Sequence, residues 1–248
     1  MWVYNYFGEN NVKWSLIKKC ITIIALLSGC IACCNKIPNF SMHLNNLAHR
    51  EVSADQATYL ITADLSFMGI YTGLSNSGSG FGISYTGSKT VVITAGHVCE
   101  PMGDEINFTT EFSVITIEGE MLNAVDIIIS DTQDICAITV DSILPIAKLA
   151  QEEPEVGDKL GYSGYPLGLY MPGIRHYFSG YMGGKDPDLN HIYNVPTVGG
   201  SSGSPVYNER KEVVGLISAV LKDFEHITLG VGLLNIKKFL EKNDLVNN

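Results

Sequence analysis

The 248 residues carry 26 acidic against 16 basic side chains, a formal charge of −10. With no Lys/Arg cluster beyond the N-terminal lysines, this balance argues against a nucleic-acid partner and reads as a solvated acidic surface. Twenty-five glycines and nine prolines break the chain into short apolar runs, the composition of a strand-and-turn domain, and the length suits one such domain plus a leader.

The first element is the leader. Residues 20–34, CITIIALLSGCIACC, form an apolar run behind Lys13, Lys18 and Lys19, as a signal-peptide core does. As a helix these 15 residues reach only about 22 Å, short of the roughly 30 Å hydrocarbon layer, which argues against an unaided membrane span. Within the run, Leu27-Ser28-Gly29-Cys30 resembles the bacterial lipobox. The expectation is a mature chain that starts at Cys30 and carries lipid there; an ordinary signal peptide and an uncleaved anchor stay open. Residues 1–34 are thus read as signal or anchor, 35–57 as a polar tether, and 58–248 as a folded domain outside the cytoplasm. Four of the six cysteines, at 20, 30, 33 and 34, lie in the leader, where an apolar setting argues against a metal site.

Strand-like runs follow: TYLITADLSF, then GSGFGIS at 78–84, then VVITAGHVC at 91–99, which delivers His97 in a small-residue turn. DTQDICAITV at 131–140 places Asp134 at the head of an alternating apolar run, with Asp126 and Asp131 as competing acids. GGSSGSPV at 199–206 sets Ser202 between Gly200 and Gly203. Such a frame suits a nucleophile, because Gly200 has backbone angles closed to other residues and its N–H, with that of Ser202, can converge on a developing oxyanion. A serine still needs a base and a group to orient that base. Of the six histidines, His97 alone stands in the TAGH context; His43 and His49 fall in the tether, and His176, His191 and His226 read as surface or packing residues. The one helical pattern is Leu234 to Asn243, with Ile236, Phe239 and Leu240 on one face.

The chain order His97, Asp134, Ser202 is that of the two-barrel serine proteases rather than of subtilisins or α/β-hydrolases. On GSGFGIS, TAGHV, Asp134-Ile135-Cys136-Ala137, VGDKLGYSGYPLG and VGGSSGSPVYNERKEVVGLISAV, the chain resembles the chymotrypsin-fold serine proteases over roughly residues 58–242. It is most similar to their bacterial HtrA-type and glutamyl-endopeptidase-type branches, with no PDZ-like extension after NIKKFLEK. The resemblance implies an all-β fold of two six-stranded antiparallel barrels, about 58–150 and 151–233, followed by a C-terminal helix. It also implies a serine endopeptidase acting on polypeptides through His97, Asp134 and Ser202, with an oxyanion hole of Gly200 and Ser202 and no cofactor or metal. Ser218 resembles the strand serine behind the triad, placed to bond Asp134. Two other functions are weighed: a catalytically silent polypeptide-binding protein, and an esterase-like hydrolase on the same scaffold.

For specificity, the resemblance puts Pro196 at the pocket floor, so the acid that selects Arg or Lys is absent. Thr197 matches a threonine that glutamyl endopeptidases use, but their partner histidine is replaced by Ile217. Val220 narrows one wall and Gly230 leaves the facing wall bare, which together imply a small or medium apolar residue before the scissile bond. Cys99 and Cys136 have two readings: a bridge, if their Cα atoms come within about 7 Å, or two free buried thiols, the preferred one. No cleavage signal precedes Tyr59, so activity without a freed N-terminus is expected.

Overall fold

A computed structural model describes residues 51–102, 107–220 and 226–245; the leader, including Cys30, lies outside the described residues. Six antiparallel strands close a first barrel: β2 (Thr58–Phe67), β3 (Ile70–Thr86), β4 (Lys89–Thr94), β7 (Cys136–Val140), β6 (Met121–Ile129) and β5 (Phe108–Ile115) in that spatial order. A second closes as β9 (Lys159–Gly164), β10 (His176–Lys185), β11 (His191–Asn194), β14 (Thr228–Gly232), β13 (Val213–Val220) and β12 (Pro205–Tyr207). This is the expected architecture. Closure leaves the backbone of each strand paired on both sides and gathers the inward apolar residues into a core, which is why runs as short as KTVVIT suffice.

A short parallel pair, β1 (Glu51–Val52) with β8 (Ile146–Ala147), lies at the inter-barrel linker. Ala54 and Ala57 beyond it are fully buried, and Ala54 N–H donates to the Lys211 carbonyl at 3.0 Å. The end of the stretch read as tether is therefore packed against the domain at Ala54 and Ala57, a contact that sequence polarity does not reveal.

The helix α1 (Leu233–Lys242) follows β14 directly and buries Ile236, Phe239 and Leu240 in a core cluster that runs from the first barrel into β13 and β14 of the second. Its N-cap, Gly232, has no side chain to offer the free N–H groups. Glu153, from the linker, supplies the missing acceptor and takes the Leu234 N–H at 2.8 Å. The same carboxylate pairs with Lys185 at 3.0 Å and with the fully buried His191. Burial pushes the His191 imidazole below its ordinary value despite the pull of Glu153, so it stays neutral, donating from Nε2 to Glu153 and accepting from the Tyr193 hydroxyl at Nδ1. The packing role read for His191 is thus a buried polar tie between linker, β11 and α1.

Candidate active site

Strand β4 is buried along nearly its whole length and ends in a 3-10 turn, Gly96–Cys99, that presents His97 at the seam between the barrels. Antiparallel pairing of β4 with β7 sets Thr94 opposite Cys136, which brings Asp134 alongside that turn. Gly96 makes the approach possible, since a Cβ there would lie 3.0 Å from Asp134 Oδ1 and from the Ile135 nitrogen. The result is a three-point hold on one carboxylate. His97 N–H donates to Asp134 Oδ1 at 2.8 Å, the ring Nδ1 lies 2.9 Å from Oδ2, and the Ser218 hydroxyl of β13 donates to Oδ2. Of the three acids considered, Asp131 pairs instead with Lys242 at 3.0 Å and Asp126 lies exposed in β6.

The electrostatics follow from these contacts. Burial pushes the Asp134 carboxyl up, but the hydrogen bonds from the His97 ring, Ser218 and the His97 backbone outweigh it and hold the group at about 2. The hydrogen bond to Asp134 raises the His97 imidazole above its ordinary value, against the opposing effect of its own burial.

Cys99 and Cys136 form a disulfide, with their Cα atoms 6.5 Å apart. This corrects the preferred reading of two free thiols. The β4–β7 register places Cys136 against the end of the turn, a distance that spacing along the chain does not encode. Each half-cystine lies two residues past His97 or Asp134, so the bond ties together the two segments that carry the pair. For a sequence separation of 37 residues the chain-entropy account assigns the cross-link about 4 kcal/mol.

Ser202 stands in the loop between β11 and β12. Ser201 N–H donates to the Val198 carbonyl at 3.1 Å, closing a turn whose third residue, Gly200, has φ of +85°. That combination marks a type II turn, and it fixes which way the Gly199–Gly200 peptide faces. Leu167 N–H grips the Gly199 carbonyl at 2.6 Å, so the Gly200 N–H, trans to it, points to the other side. A Cβ on Gly200 would meet the Tyr165 carbonyl at 2.6 Å. Gly203, with φ of +84°, is equally constrained: a Cβ would sit 2.0 Å from the Ser79 carbonyl. Among the described residues, neither Gly200 N–H nor Ser202 N–H has a partner, while Ser201 and Gly203 N–H are both engaged. Two free donors therefore flank the nucleophile candidate.

The Ser202 hydroxyl donates to the Ser218 carbonyl at 3.2 Å and is not bonded to His97. Ser218 thus touches both partners, its hydroxyl on Asp134 and its carbonyl on Ser202. Beside His97, Asp134 and Ser218 opens a cleft of about 680 Å³ that also meets Glu100, Asp186 and Asp188.

The residues read as specificity determinants lie in the segment before Ser202, in β13 and in β14. Pro196 is exposed, and its carbonyl accepts from the Tyr162 hydroxyl at 2.7 Å. Thr197 is buried with its Oγ1 2.7 Å from Thr228 Oγ1, and Thr228 donates onward to the Val195 carbonyl at 2.9 Å. Val220 stays partly exposed at the end of β13, and Gly230 in β14 has the Leu216 carbonyl where a Cβ would go. Sequence reading missed Thr228, Ser79, whose hydroxyl donates to the Gly200 carbonyl at 2.9 Å, and the Leu167 backbone. The GSGFG and GYPLG motifs flagged the last two segments without revealing their contacts. Among the described residues, no group of three or more His, Cys, Asp or Glu side chains gathers as a metal set.

Two closed barrels with this seam define the chymotrypsin fold. The chain belongs to the trypsin-like peptidase family, whose domain profile matches residues 78–216. Among solved structures it is similar to a serine endoprotease from Yersinia pestis, with a TM-score of 0.59 at 20% identity over 79% of this chain and 65% of that one. It is also similar to the active form of a protease from M. tuberculosis, with a TM-score of 0.58 at 17% identity over 76% and 82% of the two chains. At these identities the likenesses show the fold alone. No curated protein matches the sequence.

Two outcomes are expected. First, any activity that uses His97 as its base rises with pH through an apparent pKa above the ordinary histidine value of 6.5, since a raised pKa keeps the imidazole protonated to higher pH. Asp134→Asn returns that limb toward 6.5 and lowers kcat about 10⁴-fold; a wild-type limb at or below 6.5 contradicts the coupling. Second, the double change Cys99→Ala with Cys136→Ala lowers stability by about 2–4 kcal/mol in urea unfolding. An unchanged midpoint argues against the cross-link.

Proposed function

We propose that the domain is a serine endopeptidase. The observation that carries this is the coincidence, at one seam, of the Asp134–His97 pair with the two unpartnered N–H groups of Gly200 and Ser202. In the proposed cycle Ser202 Oγ turns from the Ser218 carbonyl and attacks a peptide carbonyl while His97 Nε2 takes its proton. Asp134 holds the tautomer with the proton on Nδ1 and steadies the imidazolium that forms. The carbonyl oxygen becomes an oxyanion between the two free N–H groups, each worth about 10² to 10³ in rate. His97 then protonates the departing amine, leaving an acyl-Ser202 that water hydrolyses by the same steps.

The residues read as lining the specificity pocket support selection of a small or medium apolar residue before the scissile bond. Since the Thr228 proton goes to the Val195 carbonyl, Thr197 is the donor of the Thr197–Thr228 bond and presents only lone pairs to the pocket. Thr197 thus offers a substrate carboxylate no donor, and Pro196 offers an ammonium or guanidinium no counter-charge. Ser201, before the nucleophile, is uncharged and fully buried, which supports activity without a freed amino terminus to pair with a carboxylate at that position.

One observation favours a second reading, a silent polypeptide-binding domain: the Ser202 hydroxyl rests on Ser218 rather than on His97. Hydrolysis of a quenched peptide library separates the two. The expected result is cleavage after small or medium apolar residues that Ser202→Ala abolishes. A profile led by acidic or basic residues contradicts the pocket argument, turnover of esters alone favours the esterase-like hydrolase, and binding without turnover favours the silent domain.

We also propose that the domain works outside the cytoplasm, carried there by residues 20–34 and lipid-anchored at Cys30. The Cys99–Cys136 bond, which needs an oxidising compartment, supports this placement. The mass of the protein in a membrane fraction is expected to correspond to a chain starting at a lipidated Cys30; an unmodified Met1 contradicts it.

A further inference from the structure

Charge is unevenly spread around Ser202. Residues 65–88 and 160–174 contain no Asp, Glu, Lys or Arg, although these make up 17% of the chain. The two stretches meet at the nucleophile loop. Ser79 N–H donates to the Ser202 carbonyl at 2.7 Å, Leu167 N–H grips the Gly199 carbonyl, and a Cβ on Gly168 would lie 2.7 Å from Ser77 Oγ. The opposite flank of Ser202 is β13, whose Ser218 carbonyl accepts the Ser202 hydroxyl, with the acidic cleft beside it. A polypeptide whose acyl half lies along that flank sends its departing half across the uncharged one.

That surface is apolar and firmly held. Tyr165 is fully buried, the Tyr170 hydroxyl donates to the Thr116 carbonyl at 3.0 Å, Gly173 N–H to the Ile117 carbonyl at 2.9 Å, and Arg175 to the Gln56 carbonyl at 3.0 Å. From this anchored loop Leu167, Leu169, Met171 and Ile174 stand 43–80% exposed, and Leu74 on β3 adds another large apolar side chain at 61%. Leucine is also an awkward choice at Leu167, whose φ of +56° suits Gly or Asn. Exposed apolar side chains on an anchored loop whose residues 160–174 carry no charge, and on the β3 stretch that meets it, one peptide away from an oxyanion donor, mark a binding face rather than scattered surface residues.

We propose that this face binds the leaving-group half of the substrate, so that the enzyme selects polypeptides with apolar residues just after the scissile bond. The inference rests on the serine-endopeptidase reading above. Its test uses the full-length protein and internally quenched peptides that share one acyl half and carry Leu or Asn in the first three positions after the bond. The Leu peptide is expected to have a kcat/KM about tenfold higher than the Asn peptide. The double change Leu74→Asn with Leu169→Asn, both at exposed positions, brings the ratio within each protein toward one. Fluorophosphonate labelling of Ser202, which needs no leaving peptide, runs alongside. Labelling and cleavage with equal rates for both peptides overturn this inference and leave the function standing. Equal rates with a dimer that the double change dissolves assign the face to a second copy of the chain and overturn it too. Neither labelling nor cleavage overturns both readings.

Discussion

The carboxylate of Asp134 is the constraint on which the site depends. A half-buried anion is costly unless its lone pairs are filled, and here the donors come from both barrels: the His97 backbone and ring from the first, the Ser218 hydroxyl from the second. Satisfying one charge therefore holds the His97 ring and ties β13 to the turn after β4. Much else serves that contact. Gly96 keeps its side chain out of the way, the β4–β7 pairing sets the approach, and the disulfide two residues beyond each partner holds the segments together.

The nucleophile loop is organised independently, through backbone rather than charge. A type II turn, the grip of Leu167 on Gly199 and the two crowded glycines orient one peptide plane, and with it the free Gly200 N–H. Such donors cost no reorganisation when negative charge arrives, because they are already in place and empty. The two halves of the proposed chemistry, proton transfer and oxyanion stabilisation, are thus built on different elements that meet at Ser202.

How much of this was legible in the sequence depended on how local each feature is. His97, Ser202 and Gly200 sit in turns whose small residues announce them, and the apolar face of α1 is a periodicity of a few residues. Asp134 was harder, since Asp126 and Asp131 precede apolar residues equally well; the Asp134-Ile135-Cys136-Ala137 motif picked it out by resemblance, and the β4–β7 register supplies the physical reason. The Cys99–Cys136 bond was misjudged for the same reason, a Cα separation set by strand pairing rather than by spacing. The burial of Ala54 and Ala57 goes with a contact to Lys211 far along the chain, and the direction of the Thr197–Thr228 bond depends on where Thr228 sends its proton. None of these is written in a contiguous stretch of residues.

The most direct test of the account is fluorophosphonate labelling of the folded protein beside Ser202→Ala. An activated serine requires the Asp134–His97 pair and the oxyanion donors to act together on Ser202, so the account predicts labelling of the wild type that disappears in the variant. A folded wild type that takes no label contradicts it.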